Sequence, residues 1–200
     1  MRCLRRKRTP ARPAPPILLA ELNAAGGLDR TRACVDGSHV RAARGGAATG
    51  PSPVDRRKTG SEHHLGCDGR GTPHHVVTTA ADVDDITQTR NAVDGTPRVA
   101  GRPGLPRRRP ESVLGDKAYD SRAVHRELRR CRIVPVVSRE GVPNVKGLAE
   151  PRHVVERTFA LPYQFHRPAV RRERRLGLHE AFVSSGCGLV CWRRLKKAGS

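Results

Sequence analysis

The sequence predicts an α/β fold in which a mixed β-sheet is covered by helices. Two strand-like runs, at residues 62–68 and 73–80, flank the turn residues 69–72 and predict an antiparallel hairpin. After this hairpin, helical and strand-like segments alternate, which is typical of a sheet with helices packed on it. The chain has 200 residues, enough for one domain with an apolar core.

Each element follows from local periodicity and from the residues that end it. Ser121 is a suitable N-cap for one helix, and Gly186 and Gly188 should weaken the last one. The predicted elements are, in chain order, a helix at 17–25, a strand at 33–40, the hairpin at 62–80, a helix at 82–95, a strand from 111, a helix at 121–131, a strand at 132–138, and helices from about 150 and at 173–197.

The composition divides the chain into a short tail and one domain. Residues 1–15 are rich in Arg and Pro and have no apolar pattern, so we expect a disordered, solvated tail. A basic arm that contacts DNA is the alternative. Residues 16–197 form the predicted domain.

The charge balance predicts a polyanionic partner. The chain carries 39 Lys+Arg against 19 Asp+Glu, for a formal net charge of +20. Such a surplus attracts nucleic acid strongly and in a salt-dependent manner. No stretch approaches the roughly 20 apolar residues of a membrane-spanning helix, and the apolar run at 16–20 is too short for a signal peptide. We therefore expect a cytoplasmic protein.

The six cysteines do not form a zinc-binding pattern. None of them belongs to a Cys-x-x-Cys pair, and the closest pair, Cys187 and Cys191, has no further ligands at a suitable spacing. We expect reduced, partly buried thiols.

Three acidic residues stand in apolar surroundings. Asp36 interrupts a strand, Asp116 follows the end of another strand, and Glu156 follows two valines on a predicted helix. Buried carboxylates are usually paired or bind metal. Three of them together would suit Mg²⁺, and two such ions would clamp a phosphodiester. Arg152 lies four residues before Glu156, on the same helical face.

Each acid also has an ordinary structural explanation. Asp36 precedes a glycine and could end a strand at a turn. Asp116 could pair with Lys117 or Arg122. Glu156 and Arg152 could form an i,i+4 ion pair on the surface of a helix. The pattern alone leaves these alternatives open.

Several segments resemble the DDE-type insertion-sequence transposases of bacteria. The resemblance extends in order over roughly residues 17–197. It is carried by VDGSHVRA (35–42), TGPSPVDRRKTGSEHHL (49–65), GDKAYDS (115–121), RHVVERTFAL (152–161) and CWRRLKK (191–197).

The resemblance implies a ribonuclease-H-like fold, a mixed five-stranded sheet flanked by helices. It implies that Asp36, Asp116 and Glu156 are the catalytic and metal-binding triad, with Mg²⁺ or Mn²⁺ as cofactor. The implied reaction is DNA cleavage at terminal inverted repeats and strand transfer to target DNA, without a covalent protein–DNA intermediate. The implied partner is double-stranded DNA, both transposon ends and target, in the bacterial nucleoid. Whether the protein forms a homo-oligomer is left open.

Four residues are candidate DNA contacts. Lys58 precedes the hairpin, and Lys117 and Arg152 accompany the second and third acids. His64 belongs to two histidine pairs, 63–64 and 74–75, which should split across the sheet because neighbouring strand residues face opposite sides. We expect these histidines at the surface or facing DNA, with a metal site as the alternative.

Several positions depart from the family pattern. Ala118 replaces a glycine, and Glu62 replaces a lysine, which would bring a repulsive charge toward phosphate. Ala149 and Tyr163 replace a tyrosine and a basic residue. Pro162 lies within the predicted helix that carries Glu156 and would weaken it.

The usual N-terminal DNA-reading region of the family has no counterpart in the first residues, which suggests a truncated copy. The alternative function is therefore a catalytically inactive remnant that acts only as a basic DNA-binding protein.

Overall fold

The computed structural model describes residues 12–106, 109–115, 119–137, 158 and 164–198. Its helices are α1 (Pro16–Ala24), α2 (Asp85–Asp94), α3 (Arg122–Arg130), α4 (His166–Ala169) and α5 (Leu176–Ala198). Its strands are β1 (Arg12–Pro13), β2 (Arg32–Ala42), β3 (Gly50–Pro51), β4 (Thr59–Asp68), β5 (Pro73–Ala80), β6 (Ser112–Gly115), β7 (Val134–Val137) and β8 (Val170–Arg171).

These strands form one mixed sheet in the order β1-β5-β4-β2-β6-β7, with β3 added to β4 and β8 added to β2. The β2–β4 and β4–β5 pairs are antiparallel, whereas β2–β6 and β6–β7 are parallel. The five longer strands make up the predicted ribonuclease-H-like sheet, which is confirmed. Three two-residue strands extend it among the described residues.

Alternating residues of the strands build a separate apolar core on each face of the sheet. On the first face, which we call the α5 face, Cys34 and Leu65 pack with residues of α1 and α5. On the opposite face, which we call the α3 face, Val35 and Val113 pack with Leu128 of α3. The central strands are therefore covered on both sides.

The last helix is continuous through the two glycines that were expected to weaken it. α5 is continuous over 23 residues. A Cβ added at Gly188 would come within 3.0 Å of the Pro15 ring, so a larger side chain there would meet the segment that precedes α1. The glycine serves close packing, which adds stability from tertiary contact that local helix propensity does not measure.

The N-terminal tail is shorter than predicted. Residues 12 and 13 form β1 against β5, and the backbone N–H of Ala14 donates to the His74 carbonyl at 2.8 Å. Ala14 is buried in the core of the α5 face, an anchor that the Arg- and Pro-rich composition conceals. The boundary at residue 15 is therefore wrong, and residues 1–11 lie outside the described part of the chain.

The predicted N-cap of α3 is confirmed. The Ser121 hydroxyl caps α3 by accepting the Ala123 N–H at 3.3 Å. The five cysteines in the described residues are all free thiols, and all but Cys131 are buried. Within the same residues, no helix combines the length and the apolar character needed to cross a membrane.

Candidate active site on the α5 face

Asp36 occupies the centre of the sheet. It lies on β2 opposite Leu65 of β4, two residues beyond Cys34, so its side chain projects on the α5 face. The carboxylate is half-buried, and its Oδ1 accepts the backbone N–H of Gly37 at 2.9 Å. This hydrogen bond orients one carboxylate oxygen directly after the apolar run at 33–35.

The parallel neighbour of β2 ends beside this residue. Ala33 and Cys34 are paired with Val113 and Leu114, and β6 ends at the next residue, Gly115. A carboxyl strand end at the middle of an α/β sheet is a common location for functional residues. Asp116 and Lys117 follow directly in the chain and lie outside the described residues.

One residue near the third predicted acid is described. Thr158 is fully buried, and its hydroxyl donates to the Gly71 carbonyl at 2.9 Å. Thr158 also acts on Cys67, where it opposes the rise in the pKa of the buried thiol; Cys67 is paired with Cys34 on the α5 face. Glu156 and Arg152 precede Thr158 and, like Pro162, lie outside the described residues.

No metal-binding group is complete in the described part of the chain. Over those residues, no cluster of three His, Cys, Asp or Glu side chains could hold an ion. Asp36 is the one member of the predicted triad that the description includes. Its oxygen donors are of the kind that Mg²⁺ and Mn²⁺ prefer.

Lys58 lies far from Asp36. It is exposed, and its ammonium is 3.3 Å from a carboxylate oxygen of Asp55. Leu65 of β4 is paired with Asp36, and Lys58 precedes Leu65 by seven residues, directly before β4 begins. At about 3.3 Å per residue this spacing is roughly 23 Å. Lys58 therefore belongs to a different part of the surface from Asp36.

His64 is not at the surface, so its predicted surface position is wrong. Its side chain is buried, and its Nε2 lies 2.8 Å from the Thr79 hydroxyl. Burial, with a smaller contribution from His39, lowers the pKa of His64 to about 4, so the ring is neutral near pH 7. The prediction failed because helices cover both faces of the sheet, which buries even the polar positions of the hairpin.

Glu62 also turns inward. Its carboxylate lies 3.5 Å from Nε2 of His39 and 4.0 Å from Nε2 of His64, and the side chain is 4% exposed. The sequence suggested a repulsive charge directed at DNA. The structure instead holds this charge inside the α3 face beside two histidines.

Comparison with known proteins identifies the family. The model of the transposase DDE domain matches residues 27–189. The chain is also 42% identical over 150 residues to a Burkholderia cepacia protein named as a transposase for insertion sequence element IS402, an alignment that covers 75% of this chain and 71% of that protein. The chain belongs to the DDE transposase family. The matched region includes all three predicted acids.

In this transposase a second buried polar network lies on the α5 face. Nε2 of His63 is 2.8 Å from Nε2 of His179 on α5, and the two rings stack. Nδ1 of His179 lies 3.7 Å from a carboxylate oxygen of Glu173. Burial lowers the pKa of both histidines, and the nearby Arg171 charge contributes, so each ring is neutral near pH 7.

Sequence reasoning did not find this transposase network. A partial signal was present, because His179, Val183 and Cys187 recur every four residues and mark the inner face of α5. Periodicity places His179 inside but does not identify its partner, which is 116 residues away in the chain.

Proposed function

We propose that this chain cuts DNA strands at terminal inverted repeats and transfers them to target DNA, with Asp36, Asp116 and Glu156 as the catalytic triad. The observation that carries the proposal is the position of Asp36. It lies on the central strand, beside the end of β6 and on the sheet face that Thr158 contacts.

The register of β2 and β6 supports the second acid. The last paired residues are Cys34 and Leu114, which lie two positions before Asp36 and Asp116. If the register continued, position 116 would face Asp36 across the roughly 4.8 Å that separates neighbouring strands. The two carboxylates would then be close enough to share a cation.

Thr158 supports the third acid. Two residues span at most about 7 Å, so Glu156 is within that distance of Thr158 along the backbone. Thr158 acts on the thiol of Cys67, and Cys67 is paired with Cys34 of β2. Asp36 lies two residues beyond Cys34 on the same strand, which is roughly 7 Å. We therefore propose that Glu156 serves the same face.

The proposed mechanism needs oxygen ligands and phosphate contacts. Asp36, Asp116 and Glu156 would hold Mg²⁺ or Mn²⁺, and Gly37 would keep the Asp36 carboxylate oriented. Bound ions of this kind supply activation of a water or a 3′-hydroxyl and stabilisation of the leaving oxygen. Lys117 and Arg152 would neutralise the phosphate near the triad, and Lys58 would contact DNA farther away.

His64 requires a revised role. His64 is buried and is paired with Gly37, the neighbour of Asp36 on β2. We therefore propose that it stabilises the sheet behind Asp36 and does not contact DNA directly. The partner we propose is duplex DNA, both transposon ends and target, in the bacterial cytoplasm and nucleoid.

The test is divalent-metal-dependent nicking of DNA that carries inverted-repeat ends. We expect Asp36→Asn, Asp116→Asn and Glu156→Gln each to abolish nicking while DNA affinity is retained. Asp84→Asn is a matched control, because Asp84 is an exposed acid before α2 whose side chain makes no capping hydrogen bond.

Two results would contradict the proposal. Nicking by Asp116→Asn at the parental rate would exclude the triad. A parent protein that binds DNA but never nicks it would favour the inactive DNA-binding remnant, the alternative that the departures at Ala118 and Pro162 suggest.

A further inference from the structure

We propose that the outer face of α3 binds the backbone of duplex DNA, outside the catalytic triad. The face is defined by Arg122, Arg126, Arg129 and Arg130, which we call the α3 track. The inference rests on the proposed function for its partner. It concerns a surface that none of the predicted site residues occupies.

Helical geometry separates the track from the core. Val124 and Leu128 pack into the core of the α3 face and fix the inner side of the helix. Arg122, Arg126 and Arg129 follow each other at intervals of four and three residues, so they align on the opposite side. Arg130 borders this row, and all four side chains are exposed.

The arginines are available to an external anion. They line an open groove of about 860 Å³ together with His125 and Asp120. The one carboxylate in this lining, Asp120, lies 3.0 Å from Nε2 of His125. Within the described residues, no ion pair joins any arginine of the track to a carboxylate.

The spacing of the track suits a nucleic acid. Seven residues of helix separate Arg122 from Arg129, which is about 10 Å at 1.5 Å per residue. Duplex DNA presents one negative charge per roughly 1.7 Å of its axis, so several phosphates face a segment of that length. Guanidinium groups bind phosphate through paired hydrogen bonds.

The fold directs the track away from the candidate site. α3 connects the parallel strands β6 and β7, so it begins at the carboxyl end of β6 and runs back along the sheet. Its cap, Ser121, is five residues after Asp116. The α3 track therefore lies on the face of the sheet opposite to Asp36, and its contacts with DNA would be separate from those at the triad.

The experiment measures affinity for a fluorescein-labelled duplex as a function of salt, without divalent metal. The variant Arg126→Ala/Arg129→Ala/Arg130→Ala leaves Arg122, the arginine nearest to Asp116 in the chain, in place. We expect the slope of log affinity against log salt to become shallower by about 0.9 for each lost phosphate contact, or about 2.7 in total.

The matched control is Arg172→Ala/Arg174→Ala/Arg175→Ala, which removes three exposed arginines from the segment before α5. Both variants lower the net charge by three. Equal slopes for the two variants, or an unchanged slope in the α3 variant, would overturn the proposal. Arg126→Lys/Arg129→Lys/Arg130→Lys should restore most of the slope, and failure to do so with a folded protein would also overturn it.

This readout is independent of catalysis. If the triad variants leave nicking unchanged but the α3 variant loses slope, the proposed function fails and the α3 track stands. If nicking depends on the triad and the α3 variant keeps its slope, the α3 track fails alone.

Discussion

The two faces of the sheet bury polar groups in different ways. Along β4, Glu62 and His64 point to the α3 face, whereas His63 between them points to the α5 face. On the α3 face, the contacts given for the described residues join neighbouring strands: His64 bonds Thr79 of β5, and Glu62 lies beside His39 of β2.

On the α5 face the contacts join distant parts of the chain. His63 bonds His179 of α5, and Arg171 of β8 donates to the Ser61 hydroxyl of β4 at 2.7 Å. Arg171 also donates to the carbonyls of Ala47, Ala48 and Glu173. The difference teaches that the α3-face cluster fixes neighbouring strands, whereas the α5-face network attaches the C-terminal segment to the sheet that carries Asp36.

Arg171→Met should produce the largest loss of stability. The side chain is fully buried, and its removal leaves two buried acceptors, the Ser61 hydroxyl and the Glu173 carbonyl, without this donor. We expect a decrease of about 3–5 kcal/mol in the free energy of unfolding. Urea denaturation measures it, with the exposed neighbour Arg172→Met as control. If the two variants were equally stable, the α5-face network would not be what attaches the C-terminal segment.

The pH dependence of stability should come from both faces. Burial, helped by Arg171, lowers the pKa of His179 to about 4, and burial, helped by His39, does the same for His64. In the unfolded chain both rings titrate near 6.5. As pH falls from about 6.5 to about 4, the unfolded state binds protons that the folded state excludes. Each histidine should therefore remove on the order of 3 kcal/mol of stability.

Denaturation of His179→Gln and His64→Gln at pH 7.5 and pH 5 tests this equivalence. Between pH 7.5 and pH 5, the free energy of unfolding of each variant should fall less than that of the parent, because glutamine does not titrate. Arg171→Met alone, with both histidines in place, separates the two faces: the pKa of His179 should rise, because a neighbouring positive charge is gone, while that of His64 should not change. A common shift of both pKa values would refute the separation of the networks.

The sequence predicted the elements well and their polar contacts poorly. In the described residues the longer helices and strands lie within three residues of their predicted bounds, because apolar periodicity and turn residues act locally. The short elements β1, β3, α4 and β8 were not predicted. Asp36 was predicted as a site residue because an acid that follows an apolar run within a strand is unusual, and this role stays a prediction. The buried positions of His64 and Glu62 could not be predicted, since they depend on α2, α3 and α5 covering the sheet from distant parts of the chain.

The smallest predicted effect tests whether the two faces unfold together. Ser121→Ala removes the N-cap of α3 and should lower stability by about 1 kcal/mol. Trp192, the single tryptophan, lies on α5 and reports on the opposite face. If the sheet unfolds as one unit, its fluorescence and the circular dichroism should shift by the same denaturant increment. A shift in circular dichroism alone would mean that α3 melts independently, and DNA held by the α3 track would then be bound to a separately ordered helix.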